Sequence, residues 1–456
     1  MSLNLSKSQL AALELLKSGA NCFLDGLAGT GKTFLLDYYT KYYCQDKKVL
    51  KCCFTANAVN NLVCDKPNDV IGTIHTCFKF AQLELPDVIP PSKLAPWWLS
   101  RTYFSKFDVV IIDEISMVRI DHFAYIAKIV AKANKYRKQP IQVIVSGDFC
   151  QLPPIITKAE ARILARKYLT NTGYAFEHPS WKAFNFKVIN LDTSMRVVND
   201  KQYLAMLNNL RLGIKLEQVL AYFNRRVIPT NKIAKTVRLF ATNRLVDKTN
   251  LSCLNKLKGK ALAIPAYYDN EIRSAIKRHK LAANDLPGSL CLHLKPNAQI
   301  MFIKNDKLGK DNIRRFVNGD LGIVVRCDTT DEVVCRVNRT GKLVRLHKYN
   351  LAHRINKPVH LILDMIVQDE YLGLFKQYPI KLAYALTIHK AQGKTFDNVI
   401  FDPSIDKKKL TSGLVYVALS RTRSINNLFL TKPLSLDQIK VDDKVVEFYK
   451  GIKGEW

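Results

Sequence analysis

A short glycine-rich segment that ends in a lysine and a threonine could bind a chain of phosphates. Four residues separate Gly26 from Gly31, and Lys32 and Thr33 follow directly. In such a loop, backbone N–H groups surround phosphate oxygens at a helix start, the lysine reaches the β- and γ-phosphates, and the hydroxyl ligates Mg²⁺. A flexible turn is the alternative, which the position between an apolar run and a helical pattern disfavours. The loop residues expected to contribute are Gly26, Ala28, Gly29, Thr30, Gly31, Lys32 and Thr33.

Two adjacent carboxylates, Asp113 and Glu114, come directly after the strongly apolar run 108–112. Hydrolysis of a nucleotide needs one carboxylate beside the hydrated Mg²⁺ and another that orients and deprotonates the attacking water. We assign the first role to Asp113 and the second to Glu114. An acidic pair that only caps a following helix is the alternative, and the phosphate loop disfavours it.

A glutamine stands in a similar position after the next apolar run, 141–146. Gly147 and Asp148 end that run, and Gln151 and two prolines follow. An amide side chain at this place can hydrogen-bond the γ-phosphate or the attacking water, so Gln151 could sense hydrolysis. Taken alone, the segment is equally compatible with a simple turn.

The elements that must hold these groups are predicted to be strands of one parallel sheet. Continuous apolar runs alternate with helical patterns, which is typical of strands that are buried on both faces. Ligands of such sheets bind at the carboxyl ends of the strands, where all the groups above are found. The predicted strands cover residues 22–24, 49–54, 108–112 and 141–146, and a helix is expected to begin near Lys32.

The chain of 456 residues is long enough for about three domains. We predict a first domain over residues 1–186, with an insertion at about 79–106 where prolines surround Trp97 and Trp98. A second α/β domain is predicted over 187–284 and 378–456. Short β-type runs and turn signals at Asn318-Gly319 and Thr340-Gly341 predict a small β-barrel inserted at 285–377.

The composition indicates a polyanionic partner. Lysine and arginine number 70 against 39 acidic residues, a formal net charge of +31 that exceeds what solubility requires. Nucleic acid is the first choice and an anionic membrane surface the second. No apolar run is long enough for a transmembrane helix, and the N-terminal residues lack a secretory or transit pattern, so we expect an intracellular protein of unresolved compartment. The eleven cysteines include no Cys-x-x-Cys pair and are expected to be reduced thiols.

The segment Gly147–Pro154 resembles motif III of the petite-integration-frequency (Pif) DNA helicases, which are RecD-like members of superfamily 1B. The similarity covers about residues 5–430. It implies an α/β fold with two RecA-like P-loop domains in tandem, a small insertion in the first, an SH3-like β-barrel inserted in the second, and ATP in the cleft between the two. The other segments that follow the family's order are Thr73–His75, Arg196 with Leu210–Gly213, Ala241–Asn243, Asn318–Gly322, Leu386–Gly393 and Tyr416–Arg421.

The resemblance also implies roles for particular residues. Arg196 and Arg421 would reach the γ-phosphate, Gly393 would contribute to the nucleotide site, and Gln9 would bind the adenine side. Ser6 and Gln9 also have capping-box spacing, so Gln9 could instead satisfy a backbone N–H. A motor that moves on any sequence is expected to grip phosphates and sugars. The implied DNA-binding residues are Thr55, Thr73, His75, Thr387, His389 and Lys390.

We therefore expect an ATP- and Mg²⁺-dependent DNA helicase that acts as a monomer on single-stranded DNA and duplex junctions. The resemblance implies 5′→3′ polarity and a role in replication, repair or recombination. One alternative is a DNA-stimulated translocase that remodels protein–DNA complexes without unwinding. Another is a basic DNA-binding nucleotide switch without turnover. The chain departs from the family at Lys138–Gln142, where a glycine-containing turn is missing.

Overall fold

The predicted strands all form, and they lie side by side in one parallel sheet. In the computed structural model, the chain divides into two compact units, one made of Met1–Lys235 with Ile388–Trp456 and the other of Thr236–Thr387. The described residues are 5–54, 56–59, 62–63, 66, 68–78, 99–197, 200–229, 236–277, 286, 288–306, 314–351, 353–354, 372–404 and 410–453. Thr55, Trp97 and Trp98 lie outside them, as does most of the predicted insertion.

The N-terminal part of the first unit alternates strands and helices. The strands are β1 (Cys22–Gly26), β2 (Val49–Cys53), β3 (Val70–Thr73), β4 (Val109–Asp113), β5 (Gln142–Gly147) and β6 (Lys187–Leu191). The helices are α1 (Lys7–Lys17), α2 (Lys32–Tyr43), α3 (Ala56–Val59), α4 (Ile74–Phe78), α5 (Ile120–Asn134), α6 (Lys158–Tyr168), α7 (Pro179–Ala183), α8 (Lys201–Leu212) and α9 (Leu216–Asn224). This alternation is the predicted α/β pattern.

The sheet has the order β3-β2-β4-β5-β1-β6, and its described pairings are parallel. Every residue of β1, β2, β4 and β5 is buried. Strands covered on both faces cannot alternate polar and apolar side chains, which explains their continuous apolar runs. Tyr39 of α2 anchors its helix across the sheet, because its buried hydroxyl donates to Oε1 of Gln142 at 2.9 Å.

The boundary predicted at Lys187 is wrong in position. Strand β6 begins at Lys187 and pairs in parallel with β1, from Lys187 opposite Cys22 to Leu191 opposite Gly26. These residues therefore belong to the first sheet and not to a second domain. Only Ile189 and Leu191 of this strand are buried, which is typical of an edge strand, and the lack of a continuous apolar run hid its membership of the buried sheet.

The second unit contains an antiparallel sheet of the order β14-β13-β12-β11-β19. Residues 236–387 also provide turns at Gly319 and Gly341, both with positive φ, as the sequence predicts. Strand β19 lies beyond the predicted barrel limit of residue 377, so the sheet extends past that boundary. The elements are β7 (Val237–Phe240), α10 (Asn243–Asn255), β8 (Leu262–Pro265), β9 (Tyr267–Tyr268), α11 (Asn270–Lys277), β10 (Cys291–Leu294), β11 (Gln299–Phe302), β12 (Leu321–Arg326), β13 (Val333–Val337), β14 (Leu343–Leu346), β15 (Tyr349–Asn350), β16 (His353–Arg354), β17 (Leu372–Gly373), β18 (Phe375–Gln377), β19 (Ile380–Leu382) and β20 (Ala385–Thr387).

The C-terminal part returns to the first unit. Its elements are α12 (Ile388–Ala391), β21 (Val399–Phe401), α13 (Leu414–Leu419), β22 (Leu428–Leu430) and α14 (Asp443–Lys453). Val445 and Tyr449 of α14 are buried in the same core cluster as Phe23 of β1. Phe448 stacks on Phe176 with ring centroids 4.2 Å apart. Helix α14 therefore completes the core of the first sheet.

Among the helices of the described residues, none is long and apolar enough to cross a bilayer.

We predict that Phe448→Ala destabilises the first unit by about 3 kcal/mol, because it removes an aromatic ring from a packed cluster. Trp181 lies 5.8 Å from the Phe448 ring, so urea unfolding followed by tryptophan fluorescence reports this region. The control is Leu10→Ala on the exposed side of α1, which should change stability by less than about 0.5 kcal/mol. Equal effects of the two substitutions would contradict the role of α14 in the core.

Candidate functional site

The phosphate loop joins β1 to α2 and is shaped by glycines. Gly29 and Gly31 have φ values of 85° and 82°, in the left-handed region where side chains are strained. A Cβ atom on Gly29 would lie 2.4 Å from Cβ of Arg196, and one on Gly31 would lie 2.8 Å from Nε2 of Gln9. Helix α2 begins at Lys32, as predicted, so its first N–H groups face the loop. The loop can therefore approach an anion closely with its backbone.

The side chain of Lys32 folds onto the loop itself. Its Nζ donates to the carbonyl oxygens of Gly26 at 2.7 Å and Leu27 at 3.0 Å. Burial lowers the pKa of this amine, while the negative charges of Asp148 and Glu114 oppose that shift. Among the described residues, its hydrogen bonds go to these neutral carbonyls, so the ammonium group is well placed to exchange them for phosphate oxygens.

Thr33 and Asp113 form the pair that the sequence predicts for a metal. Oγ1 of Thr33 donates to Oδ2 of Asp113 at 2.7 Å, and Oδ1 of Asp113 accepts from the backbone N–H of Glu114 at 2.9 Å. A hydroxyl and a carboxylate beside a phosphate loop are the oxygen ligands that Mg²⁺ takes when it is shared with a nucleotide. The residues present therefore fit this ion.

Glu114 lies at the carboxyl end of β4 in a left-handed conformation with φ 55°. Its Oε2 accepts from Nε2 of Gln392 at 3.2 Å. Burial and the neighbouring charge of Asp113 raise the pKa of Glu114, and the charge of Lys32 and the Gln392 hydrogen bond limit the rise. A carboxylate with a raised pKa is better suited to accept a proton near neutral pH.

Gln151 lies in the turn after β5, with its side chain buried. Its N–H donates to the carbonyl of Asp148 at 3.0 Å. A Cβ on Gly413, which caps the start of α13, would lie 2.3 Å from the carbonyl oxygen of Gln151. The turn therefore packs closely against the start of α13, the helix that precedes Arg421.

Arg196 and Arg421 come together at Ser420. Nη1 of Arg196 donates to the carbonyl of Ser420 at 2.8 Å, and Nη2 of Arg421 donates to its Oγ at 2.6 Å. Arg421 is 1% exposed, and burial and the charge of Arg196 lower its pKa to about 9. The hydrogen bonds found for both guanidiniums among the described residues go to carbonyl and hydroxyl oxygens. Two adjacent guanidiniums, one of them fully buried, whose hydrogen bonds among the described residues go to neutral oxygens are suited to bind an anion.

The side chain of Gln9 caps its own helix and also contacts the phosphate loop. Its Oε1 accepts from the Ser6 N–H at 3.0 Å in a complete capping box, and its Nε2 donates to the carbonyl of Thr30 in the phosphate loop at 3.4 Å. Gly393 follows α12 with φ 74°. Its contribution to the nucleotide site remains a prediction.

The predicted DNA-binding residues occupy two separate stretches of chain. Thr73 ends β3, and its Oγ1 accepts from the N–H of Thr76 at the start of α4. His75 is half-buried against the Phe54 ring, with centroids 5.5 Å apart. The other stretch contains Thr387, which is buried at the end of β20, His389, which is half-buried with a pKa lowered by burial, and Lys390, which is exposed.

Three residues that contact the site were given no role from the sequence. Gln392 contacts Glu114, and the hydroxyl of Tyr416 accepts from the N–H of Ala28 in the phosphate loop at 3.1 Å. Arg211 bridges Asp25 and Asp148. All three lie inside segments that resemble family motifs, so their position was the only available signal.

We predict that Glu114→Gln raises the apparent Tm by on the order of 1–2 °C at pH 8 and less at pH 5. A glutamate whose folded-state pKa is raised holds a proton more tightly when folded, so its contribution to stability falls as pH rises through that pKa. Thermal melting at the two pH values measures the difference.

The control is Glu177→Gln, for which the opposite sign is expected. Burial opposes ionisation of Glu177, but hydrogen bonds from Lys444, Thr170 and Thr172 lower its pKa. Glu177→Gln should therefore lower Tm at pH 8. A Glu114→Gln variant that behaves like Glu177→Gln would contradict the raised pKa.

Comparison with known proteins identifies the family. A family model described as PIF1-like helicase matches residues 4–217, and one described as UvrD-like helicase C-terminal domain matches residues 382–425. The chain is 31% identical to the ATP-dependent DNA helicase Pif1 of Bdellovibrio bacteriovorus over 99% of this chain and 93% of that one. It resembles the solved Pif1 helicase from Candida albicans with a TM-score of 0.76 and 27% identity, covering 99% of this chain and 100% of that one.

A Bacteroides Pif1 helicase, solved in complex with ADP-AlF3 and single-stranded DNA, has a TM-score of 0.74 and 25% identity and covers 100% of this chain and 98% of that one. These similarities confirm the sequence resemblance and fit tandem RecA-like domains. The chain belongs to the Pif1 family of ATP-dependent DNA helicases.

Proposed function

We propose that the phosphate loop and its surroundings hydrolyse ATP to drive movement along single-stranded DNA. The observation that carries this proposal is the contact of five functional groups around one loop in one unit. Lys32 lies in the loop, Thr33 bonds Asp113, Glu114 follows directly, and Arg196 contacts Gly29. A protein that only bound nucleotide would not need a water-activating carboxylate beside two arginines.

In the proposed mechanism, Lys32 leaves the carbonyls of Gly26 and Leu27 and binds the β- and γ-phosphates. Thr33 and Asp113 would hold Mg²⁺, which neutralises phosphate charge when bound. Glu114 accepts a proton from the attacking water, and the Nε2 of Gln392 holds its carboxylate in place. Oε1 of Gln392 has no hydrogen-bond partner among the described residues, so it is available to orient that water.

Arg196 and Arg421 are proposed to stabilise charge on the γ-phosphate. A bound anion would offset the electrostatic cost of holding these two cations side by side. Arginines in such a position contribute roughly 10³–10⁵ in rate in other nucleotide hydrolases. Gln151 would hydrogen-bond the γ-phosphate, and the turn that contains it would pass that contact on to α13. Gln9 is proposed to bind the adenine, with its capping contact holding the amide, and Gly393 to line the same site.

DNA is proposed to bind through backbone, hydroxyl and lysine groups, supported by the net charge of +31. The residues proposed for this contact are Thr55, Thr73, His75, Thr387, His389 and Lys390. We further propose 5′→3′ movement, action in replication, repair or recombination, and an intracellular location. The proposed ATP-site groups all come from one chain, which supports a monomer as the motor.

The proposed domain organisation is two RecA-like domains with an SH3-like barrel inserted in the second. The five-stranded antiparallel sheet β14-β13-β12-β11-β19 supports the barrel. Because β6 pairs with the first sheet and β19 follows residue 377, we now propose that the first domain extends at least to Leu191 and the barrel at least to Leu382.

We predict that single-stranded DNA raises the ATP hydrolysis rate of the wild-type chain. Glu114→Gln should bind ATP normally and lose about 10²–10⁴ in turnover, because it removes the proton acceptor. Phosphate release with and without DNA measures the rate, and equilibrium binding of a fluorescent ATP analogue supplies the control. If hydrolysis stays at background when DNA is added, the motor is excluded and the switch without turnover is favoured. If Glu114→Gln retains turnover, Glu114 is excluded as the proton acceptor.

We predict that a partial duplex with a 5′ tail is unwound faster than one with a 3′ tail. Strand separation under equal protein and ATP concentrations measures the preference, and a blunt duplex is the control. Faster unwinding of the 3′-tailed substrate would reverse the proposed polarity. DNA-stimulated hydrolysis without unwinding of either substrate would favour the remodelling translocase.

A further inference from the structure

A buried network of hydrogen bonds connects the phosphate loop with the C-terminal helix. Arg211 of α8 lies at its centre, where its Nε donates to Oδ1 of Asp148 at 2.9 Å and its Nη2 donates to Oδ1 of Asp25 at 3.2 Å. Asp25 and Asp148 are 0% exposed, and Arg211 is 3% exposed. Burial alone would lower the pKa of Arg211, but the charge of Asp148 raises it well above its usual value. The arginine therefore stays charged between its two carboxylates.

Two tyrosine hydroxyls complete this network, one at each end. Tyr449 of α14 donates to Oδ1 of Asp25 at 2.6 Å and accepts from the N–H of Phe149 at 3.1 Å. Its ring also covers the guanidinium of Arg211, with the central carbon 4.8 Å from the ring centroid. At the other end, Tyr416 of α13 donates to Oδ2 of Asp148 at 3.1 Å and accepts from the N–H of Ala28 at 3.1 Å.

We infer that Tyr416 is a positioning residue that fixes the phosphate loop against the helix of Arg421, and that Asp148, Arg211, Asp25 and Tyr449 hold its hydroxyl in place. Tyr416 is within α13, and Arg421 follows that helix and donates from Nε to the carbonyl of Val417 at 2.7 Å. The hydrogen bond from the Ala28 N–H to the Tyr416 hydroxyl therefore sets the distance between the phosphate loop and Arg421.

The donor and acceptor directions make the tyrosine specific for this place. The Ala28 N–H needs an acceptor and the Asp148 carboxylate needs a donor, and only a hydroxyl supplies both from one atom. Burial and the charge of Asp148 hold the pKa of Tyr416 well above its usual value, so the phenol keeps its proton. Phenylalanine would keep the ring in the core while leaving two buried polar groups without this partner.

The consequence for catalysis follows from which groups bind ATP and which stabilise the transition state. The N–H groups at the start of α2 and the Lys32 side chain are untouched by loss of the Tyr416 hydroxyl, so ATP affinity should change little. The contact of Arg421 with the γ-phosphate depends on the loop-to-helix distance, so the hydrolysis step should slow. This inference rests on the proposed roles of Arg421 and the phosphate loop in ATP hydrolysis.

The test uses the full chain and compares Tyr416→Phe with Tyr39→Phe. Both substitutions remove one buried hydroxyl in the first unit, but that of Tyr39 bonds Gln142 in the core. In DNA-stimulated ATP hydrolysis, Tyr416→Phe should lower kcat about tenfold, with the KM for ATP within about threefold of wild type. Tyr39→Phe should leave kcat within about twofold. Equal losses of kcat in the two variants, or a raised KM with unchanged kcat, would overturn the inference.

A double substitution tests whether the network acts as one unit. Tyr449→Phe should also lower kcat, and the Tyr416→Phe/Tyr449→Phe variant should lose less than the product of the two single losses, because both act on the same contact. The pair Tyr416→Phe/Tyr39→Phe should show simple multiplication. Simple multiplication for the first pair would remove Tyr449 from the network. A wild-type chain that hydrolyses ATP while Tyr416→Phe is unaffected refutes only this inference, whereas an inactive wild type refutes the proposed function.

Discussion

The burial of parallel strands on both faces is the constraint on which the rest of this structure depends. Such strands exclude charge from most of their length and bring polar groups to their carboxyl ends. Asp25, Asp113 and Asp148 therefore lie at the carboxyl ends of β1, β4 and β5. Buried carboxylates need cations, and Arg211 of α8 bonds both Asp148 and Asp25. Lys32 at the start of α2 bonds carbonyl oxygens, and the charges of the same carboxylates oppose the lowering of its pKa by burial. The chemistry of the site follows from this pairing of charges.

Arg196 and Arg421 differ from Arg211, which bonds two carboxylates. Arg196 and Arg421 meet at Ser420, and among the described residues the hydrogen bonds that they donate go to neutral oxygens. Burial and, after it, the charge of Arg196 lower the pKa of Arg421. On the proposed assignment, their electrostatic strain is relieved when a γ-phosphate arrives.

The sequence alone predicted the helicase family and the central strands better than the domain boundaries. Continuous apolar runs gave β1, β2, β4 and β5 within a residue or two, and the loop glycines predicted the start of α2 at Lys32. Strand β6 was assigned to the wrong domain because an edge strand lacks the continuous apolar run of its neighbours. Arg211 and Tyr449 could not be predicted as partners of Asp25, since only the folded chain brings together residues so distant in sequence. The dual contacts of Gln9 likewise depend on where the loop passes.

The position of α14 has a consequence for how the protein is made. Tyr449 bonds Asp25 across 424 positions of sequence, and Val445 shares a core cluster with Phe23 of β1. During synthesis, the first strands leave the ribosome long before the residues that cover them. Arg211 of α8 can bond Asp25 before the second unit is made, but the apolar face that α14 covers stays open while the second unit is translated. Packing of this core is therefore complete only after the second unit has been translated, and an apolar face that stays open for that time is a surface that chaperones bind.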